Sequence, residues 1–313
     1  MNRKLVEITM PSNLNWQRDV PLAPLTTLQI GGLAKYYVIA NSLDDLLNIH
    51  NYAQKIGMPV YILGKGSNVL INDTGVDGIV LQLSNAFAHE SIQATKINVG
   101  GSMTMPKLAR IAVELGSSGF EWMIGVPGSV GAGVAINAGA GQQCILDNLI
   151  SATYLSPKGN LVTESVDKLK LRHRGSKLLD QGHIVLEASF RLDFSKPQQS
   201  VIDKTQGFVK KRRNKFPLRY PNCGSIFKRP GQGKGAYAGY LIESVGLKGL
   251  QIGQAQISQV HANFIINHGA ALAQDVKKLI EIMKSKVFEK HGILLEREVR
   301  YFPEDIKPLN WLY

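Results

Sequence analysis

The chain has 313 residues, of which 44% are apolar and 19% charged, and 31 are glycine. These values exclude a disordered chain and predict about two or three compact units. Lysine and arginine outnumber aspartate and glutamate by 36 to 24, a net charge of +12, so polyanions or small anionic molecules are the expected partners. Two cysteines, Cys144 and Cys223, are too few for a disulfide scaffold and suit a reducing compartment. The first ten residues (MNRKLVEITM) lack the apolar core of a signal peptide, and a cytoplasmic location is expected.

In chain order, residues 35–40 (KYYVIA) read as a strand. Ser42 caps a helix whose apolar face is Leu43, Leu46, Leu47, Ile49, Ala53 and Ile56, and which Gly57 and Pro59 end. A short strand over 60–63 runs into Gly64-Lys65-Gly66-Ser67-Asn68, and strands follow at 69–71, 79–83 and 97–99. Residues 106–115 form a helix with proline at its first position. From Trp122 to Leu146 no residue is charged, which is long enough to span a bilayer. Six glycines and Pro127 within it make it a poor helix, so it is read as a glycine-rich loop segment.

Strands are expected at 150–155, 161–163 and 184–192, with a turn at 157–160. Residues 196–200 (KPQQS) read as a polar linker, 201–211 as a helix, 230–235 as a glycine-rich loop and 241–245 as a short helix. A strand at 263–266, a helix at 275–289 ended by Gly292, and a final strand at 293–302 complete the chain. The alternation predicts an α+β protein divided near residue 200.

Signatures of phosphate-binding loops, serine hydrolases, zinc hydrolases and paired-cysteine redox sites are absent, and no metal is expected. The seven histidines read as surface or satisfied polar residues. Gly231-Gln-Gly233-Lys-Gly235-Ala236 matches a dinucleotide fingerprint by letters, but no strand leads into it, so it reads as a flexible loop. Two other segments carry more. Gly64–Asn68 and Gly125-Val-Pro127-Gly128-Ser129-Val-Gly131-Ala132-Gly133 each leave backbone N–H groups open to an anion, and together they suit a pyrophosphate held between two lobes. Two tight turns in a glycine-rich fold are the alternative. The basic run Lys210-Lys211-Arg212-Arg213-Asn214-Lys215 admits three readings: a solvated helix end, an anion site for a nucleotide-bearing small molecule, or a nucleic-acid surface.

Seven segments taken together resemble one family. They are residues 26–32 (TTLQIGG), 63–70 (LGKGSNVL), 125–132 (GVPGSVGA), 172–176 (RHRGS), 223–228 (CGSIFK), 261–264 (HANF) and 295–300 (LEREVR). In this order, and covering nearly all of residues 25–302, they resemble the UDP-N-acetylenolpyruvoylglucosamine reductases, bacterial flavoenzymes of peptidoglycan precursor synthesis. The resemblance implies an FAD-binding domain of the vanillyl-alcohol-oxidase (PCMH) type over residues 1–197, built of two αβ subdomains (about 1–85 and 86–197). A C-terminal α+β substrate domain would cover 198–313. It implies non-covalent FAD against Gly64, Lys65, Gly66, Ser67, Asn68, Gly125, Pro127, Gly128, Ser129, Gly131, Ala132, Asn137 and Gly139. NADPH would be the reductant and a UDP-sugar enolpyruvyl ether the substrate, with no nucleic acid, membrane or obligate protein partner.

Hydride addition to an enolpyruvyl double bond drives negative charge into the attached carboxylate and leaves a carbon to be protonated. Arg174 matches the family's catalytic arginine, and a guanidinium pairs a carboxylate bidentately. Ser225 matches its proton donor and Glu298 its catalytic acid, which, if kept protonated, can hydrogen-bond to that carboxylate. Glu296, two residues away, shares a face with Glu298 in an extended strand. Lys215, Arg219, Lys228 and Arg229 are expected near the UDP diphosphate, although Arg229 stands where many members have asparagine. Val260 likewise replaces a frequent lysine, and the branch with a lid tyrosine is not matched. The rivals are another FAD oxidoreductase on the same scaffold and a non-enzymatic polyanion binder.

Overall fold

In the computed structural model the described residues are Pro11, 14–231 and 237–309. The N-terminal residues 1–10 and nearly all of the loop at 231–236 lie outside them. Three layers of sheet order the chain. A four-stranded sheet runs Gln17–Pro21, Leu33–Ala40, Val76–Leu83, Val60–Ile62; its first pair is antiparallel and the others parallel. The helix Leu43–Ile56 covers it, with the Ser42 side chain accepting from Asp45 N and Gly57 at φ +64° ending it. Leu46, Ile49 and Ala53 bury against Val38, Val60, Ile79 and Leu81.

An antiparallel five-stranded sheet follows, in the order Leu161–Ser165, Leu149–Leu155, Ile184–Arg191, Lys96–Gly100, Glu90–Gln93. The helix Met105–Glu114, capped by the Thr104 hydroxyl, packs Leu108, Ala109 and Ala112 onto it. The stretch expected as loop around 125–141 contains the short helix Val130–Ala135, capped by Ser129. No helix among the described residues is long and apolar enough to cross a membrane.

The last third holds a small antiparallel sheet of Gln251–Ile252, Ala255–Ile257 and Ile265–Asn267. The helix Ala273–His291 buries Val276, Leu279, Ile280, Met283 and Val287 on it. Two expectations are corrected here. The linker at 196–200 is already helical: one helix runs Gln198–Lys215, with Pro197 at its cap, and the basic run is its last turns. It buries only Val201, so the apolar signal that marks most helix starts is missing. The final strand spans Arg300–Phe302 only; residues 293–299 are irregular, with one isolated bridge, Phe227 to Arg297.

The thirds are stitched together rather than strung apart. Arg300–Phe302 pairs in parallel with Val69–Ile71. Leu28, Ile30 and Leu70 enter the core of the last third, while Phe302 and Leu309 enter the two N-terminal clusters. Asp73 caps the helix Ala273–His291 from about 200 residues away, its carboxylate accepting from Ala273 N at 2.7 Å and Gln274 N at 3.1 Å. Exposed ion pairs such as Lys284–Glu281 and Lys286–Glu289 are screened by solvent and join residues of one helix, so apolar burial and the Asp73 cap carry the docking. Asp73→Ala should lower global stability by about 1 kcal/mol, read as a lower urea midpoint. An unchanged midpoint would mean the cap does not help dock the last third.

Candidate active site

A cavity of about 520 Å³ lies between the first two sheets, the paired strands Val69–Ile71 and Arg300–Phe302, and the segment 223–225. Its floor is the loop after the strand Val60–Ile62. Gly66, at φ +60°, leaves no room for a side chain, because a Cβ would fall 2.3 Å from Leu25 O. The Gly66 carbonyl accepts from Thr27 N at 3.0 Å, fixing the loop. None of the backbone N–H groups of residues 64–68 donates to a protein acceptor among the described residues. The second glycine segment faces this loop. Ser67 Oγ donates to Pro127 O at 3.0 Å, and a Cβ on Gly64 would lie 3.3 Å from Ser129 Oγ. Both glycine segments thus form walls of one cavity, which separates them from unrelated tight turns.

Of the expected cofactor-side residues, all line this cavity except Asn137. Asn137 is 6% exposed and committed elsewhere: its Nδ2 donates to Arg172 O at 3.1 Å and its Oδ1 accepts from Leu146 N at 3.1 Å. Its place is behind the wall, holding the turn that presents Arg174. That turn closes through Arg172 N to Gly175 O and Gly175 N to Arg172 O. Arg174 itself sits at φ +57°, a left-handed conformation uncommon outside glycine, so the surrounding bonds hold a strained residue in place.

Arg174, Ser225 and Glu298 all line the cavity. Arg174 Nη2 donates to Gly139 O at 3.1 Å. Its Nε lies 2.6 Å from Glu298 Oε1, as an ion pair whose N–H is not aimed along a good hydrogen bond. Glu298 is fixed from two sides. Its own N–H donates to Ile226 O at 2.8 Å, beside Ser225, and its carbonyl accepts from Asn68 Nδ2 at 3.2 Å. The Ser225 hydroxyl follows Gly224, at φ +81°, and makes no hydrogen bond among the described residues. Burial pushes the Glu298 carboxyl above its ordinary value, while Arg174 and then Lys228 pull it back.

The other basic residues divide. Lys228 lines a second, shallower cleft that shares Asn68, Arg174, Glu298 and Arg300 with the cavity, and it pairs with Glu296. Glu296 therefore turns outward to a lysine instead of sharing the position of Glu298, because the segment is not the extended strand expected. Lys215 and Arg219 are exposed and line neither space, and Arg229 stacks 4.2 Å over the Tyr237 ring. Sequence reasoning missed Trp122, His183, Arg212 and Arg300 as cavity residues. Trp122 Nε1 and His183 Nδ1 are buried without a partner. Two carried a signal: Arg300 as the last residue of the LEREVR segment, and Arg212 within the basic run for which an anion site was one reading.

Comparison with known proteins agrees with this geometry. The profile of the UDP-N-acetylenolpyruvoylglucosamine reductase C-terminal domain matches residues 216–302, and that of an FAD binding domain matches 34–165. The chain is 38% identical over 298 residues to the UDP-N-acetylenolpyruvoylglucosamine reductase of Caldicellulosiruptor saccharolyticus, covering 95% of each. It is 38% identical to that of a Nostoc species, over 94% of this chain and 88% of the relative. The crystal structure of UDP-N-acetylenolpyruvylglucosamine reductase from Thermus caldophilus aligns with a TM-score of 0.77 at 30% identity, over 93% of this chain and 99% of that one. With relatives matched nearly end to end and both halves of the cavity inside matched segments, the chain belongs to the UDP-N-acetylenolpyruvoylglucosamine reductase family.

Proposed function

We propose that this chain is a cytoplasmic reductase that converts UDP-N-acetylglucosamine enolpyruvate to UDP-N-acetylmuramate in peptidoglycan precursor synthesis, using FAD and NADPH. The observation that carries the reading is the convergence of Arg174, Ser225 and Glu298, from three distant segments, on the cavity walled by both glycine loops. The site fits FAD: it offers the acceptorless amides of residues 64–68, the unpartnered Trp122 Nε1 and His183 Nδ1, and glycines where a side chain would fill the space. When bound, FAD supplies the hydride transfer, taking the hydride from NADPH and delivering it to the enolpyruvyl double bond.

The chain's own residues do the rest. The amides of 64–68, with the Ser129 hydroxyl, would hold the pyrophosphate by hydrogen bonds that need no counter-ion. Arg174 pairs the substrate carboxylate as charge develops on it, and its strained backbone aims it there without reorganisation. Glu298, with its proton held more firmly than in water, hydrogen-bonds the same group. Ser225 delivers the proton to carbon, with its hydroxyl free of other bonds. Lys228, next to the Arg174–Glu298 pair, adds positive charge that favours that transfer. Lys215 and Arg219, outside the cavity lining, suit the outer UDP end of the substrate.

Ser225→Ala should leave flavin reduction by NADPH intact and slow reoxidation by the UDP-sugar by about 10²–10⁴-fold. Stopped-flow traces at the flavin bands separate the two half-reactions, and equal loss in both would remove the proton-donor role. The raised Glu298 pKa means that its stabilising contribution is full below 4.5 and is lost as pH rises through the raised value. Arg174→Gln removes the strongest opposing neighbour and should move the Glu298 titration higher still, read from its side-chain carboxyl carbon by NMR. A downward move would show that burial does not control this acid.

A further inference from the structure

Among the cavity cations without a part in the mechanism above, Arg212 stands apart by its surroundings. Arg212 lies in the last turn of the helix Gln198–Lys215, half-buried, and lines the cavity. Its guanidinium centre sits 5.4 Å from the Phe216 ring centroid. Of the three half-buried arginines that line the cavity, Arg174 faces Glu298 and Arg300 Nη1 donates to Asp305 O at 3.3 Å, whereas Arg212 has no anion beside it. Arg174 has Glu298 at 2.6 Å, Arg297 has Asp305 at 2.6 Å and Lys177 has Glu164 at 2.7 Å. The Arg212 guanidinium makes no hydrogen bond and no ion pair among the described residues. Burial alone pulls its pKa down, yet a guanidinium stays charged at any working pH.

A charge removed from water without a partner opposes folding, and the ends of the helix carbonyls offset only part of that cost. The packing nonetheless holds Arg212 in place. Lys204, two turns earlier, pairs with the buried Glu121 at 3.2 Å, which ties the helix to the segment leading into Gly125. A Cβ on Gly125 would come within 3.3 Å of Arg212 Cδ, so the glycine there admits the arginine. Phe216 packs on Phe264 at 5.0 Å, and Asn263, next to Phe264, accepts from Ile226 N through its carbonyl. The wall that carries Ser225 therefore carries Arg212 as well.

We propose that Arg212 is the counter-charge of the redox cofactor: its guanidinium stabilises the negative charge that the isoalloxazine gains on accepting a hydride, and so raises the reduction potential of the bound flavin. This rests on the reading of the site as an FAD-dependent reductase. The charge balance requires such a group. A neutral ring that takes up a hydride from NADPH acquires one negative charge while the nicotinamide becomes cationic and leaves. Arg174 faces an acid already and is assigned to the substrate carboxylate, and Arg300 donates to the Asp305 carbonyl, so Arg212 is the half-buried cavity arginine left to meet the charge on the ring.

The test is the two-electron midpoint potential of the holoenzyme, measured by dye-coupled reduction, together with the affinity for oxidised FAD. Arg212→Gln should lower the potential by about 30 mV or more, a tenfold loss of affinity for reduced relative to oxidised flavin. Arg212→Lys should fall between the two. Phe216→Leu, which keeps the charge and removes its shelf, should shift the potential in the same direction by less; it and the lysine variant carry the test if Arg212→Gln does not fold. A potential unchanged in Arg212→Gln overturns the proposal, and weaker binding of oxidised FAD at unchanged potential would assign the guanidinium to a phosphate instead. A wild-type protein that purifies without flavin bands and takes up no FAD would refute the reductase reading itself, a result distinct from a flavin-loaded enzyme whose potential ignores Arg212.

Discussion

Between Val69–Ile71 and Arg300–Phe302 the backbone forms a parallel ladder across some 230 residues of chain, and the site is assembled around it. The ladder continues one step beyond each strand. Arg300 N donates to Asn68 O, and Asn68 Nδ2 donates to the Glu298 carbonyl. The loop that offers acceptorless amides is thereby bonded to the segment that carries the acid. Parallel pairing needs a long connection between its strands, and here that connection is the whole of the second sheet and the last third. One short pairing thus fixes the distance between the loop at 64–68 and Glu298.

The second constraint is electrostatic. Glu298 and Arg174 are both largely withdrawn from water, and each makes the other tolerable. Removing either partner of such a pair leaves an uncompensated charge, which costs more than the intact pair contributes. The fold accepts a left-handed Arg174 and spends the side chain of Asn137 on its turn to keep that pair in register. Stability alone gives no reason for this arrangement, because apolar residues would fill the same volume at lower cost. Chemistry on a carboxylate gives one.

Much of this was legible in the sequence, for identifiable reasons. The helix Leu43–Ile56 was readable from its serine cap and its terminal glycine, both of which are obeyed. The loops at 64–68 and 125–133 were readable because only glycine tolerates such close backbone approach. The ordered segments also gave Arg174, Ser225 and Glu298 as candidates. Other features depended on contacts that no local pattern encodes. Residues 293–302 read as one strand, yet only their end pairs, because the partner strand Val69–Ile71 is three residues long. Arg212 looked like its basic neighbours until Gly125 and Phe216 were seen around it. Asn137 sat among cavity glycines in sequence but turns its amide away from them.

The position of the parallel strand pair along the chain has a consequence for biogenesis. Synthesis proceeds from the N-terminus, and domains usually fold as they emerge. The four- and five-stranded sheets are complete by Arg191, but the acid and its ladder come from residues 298–302. A nascent chain can therefore hold both glycine loops in nearly final form while still lacking the Glu298 wall of the cavity. Closure of the cavity therefore waits on the docking of residues 298–302 against the loop at 64–68.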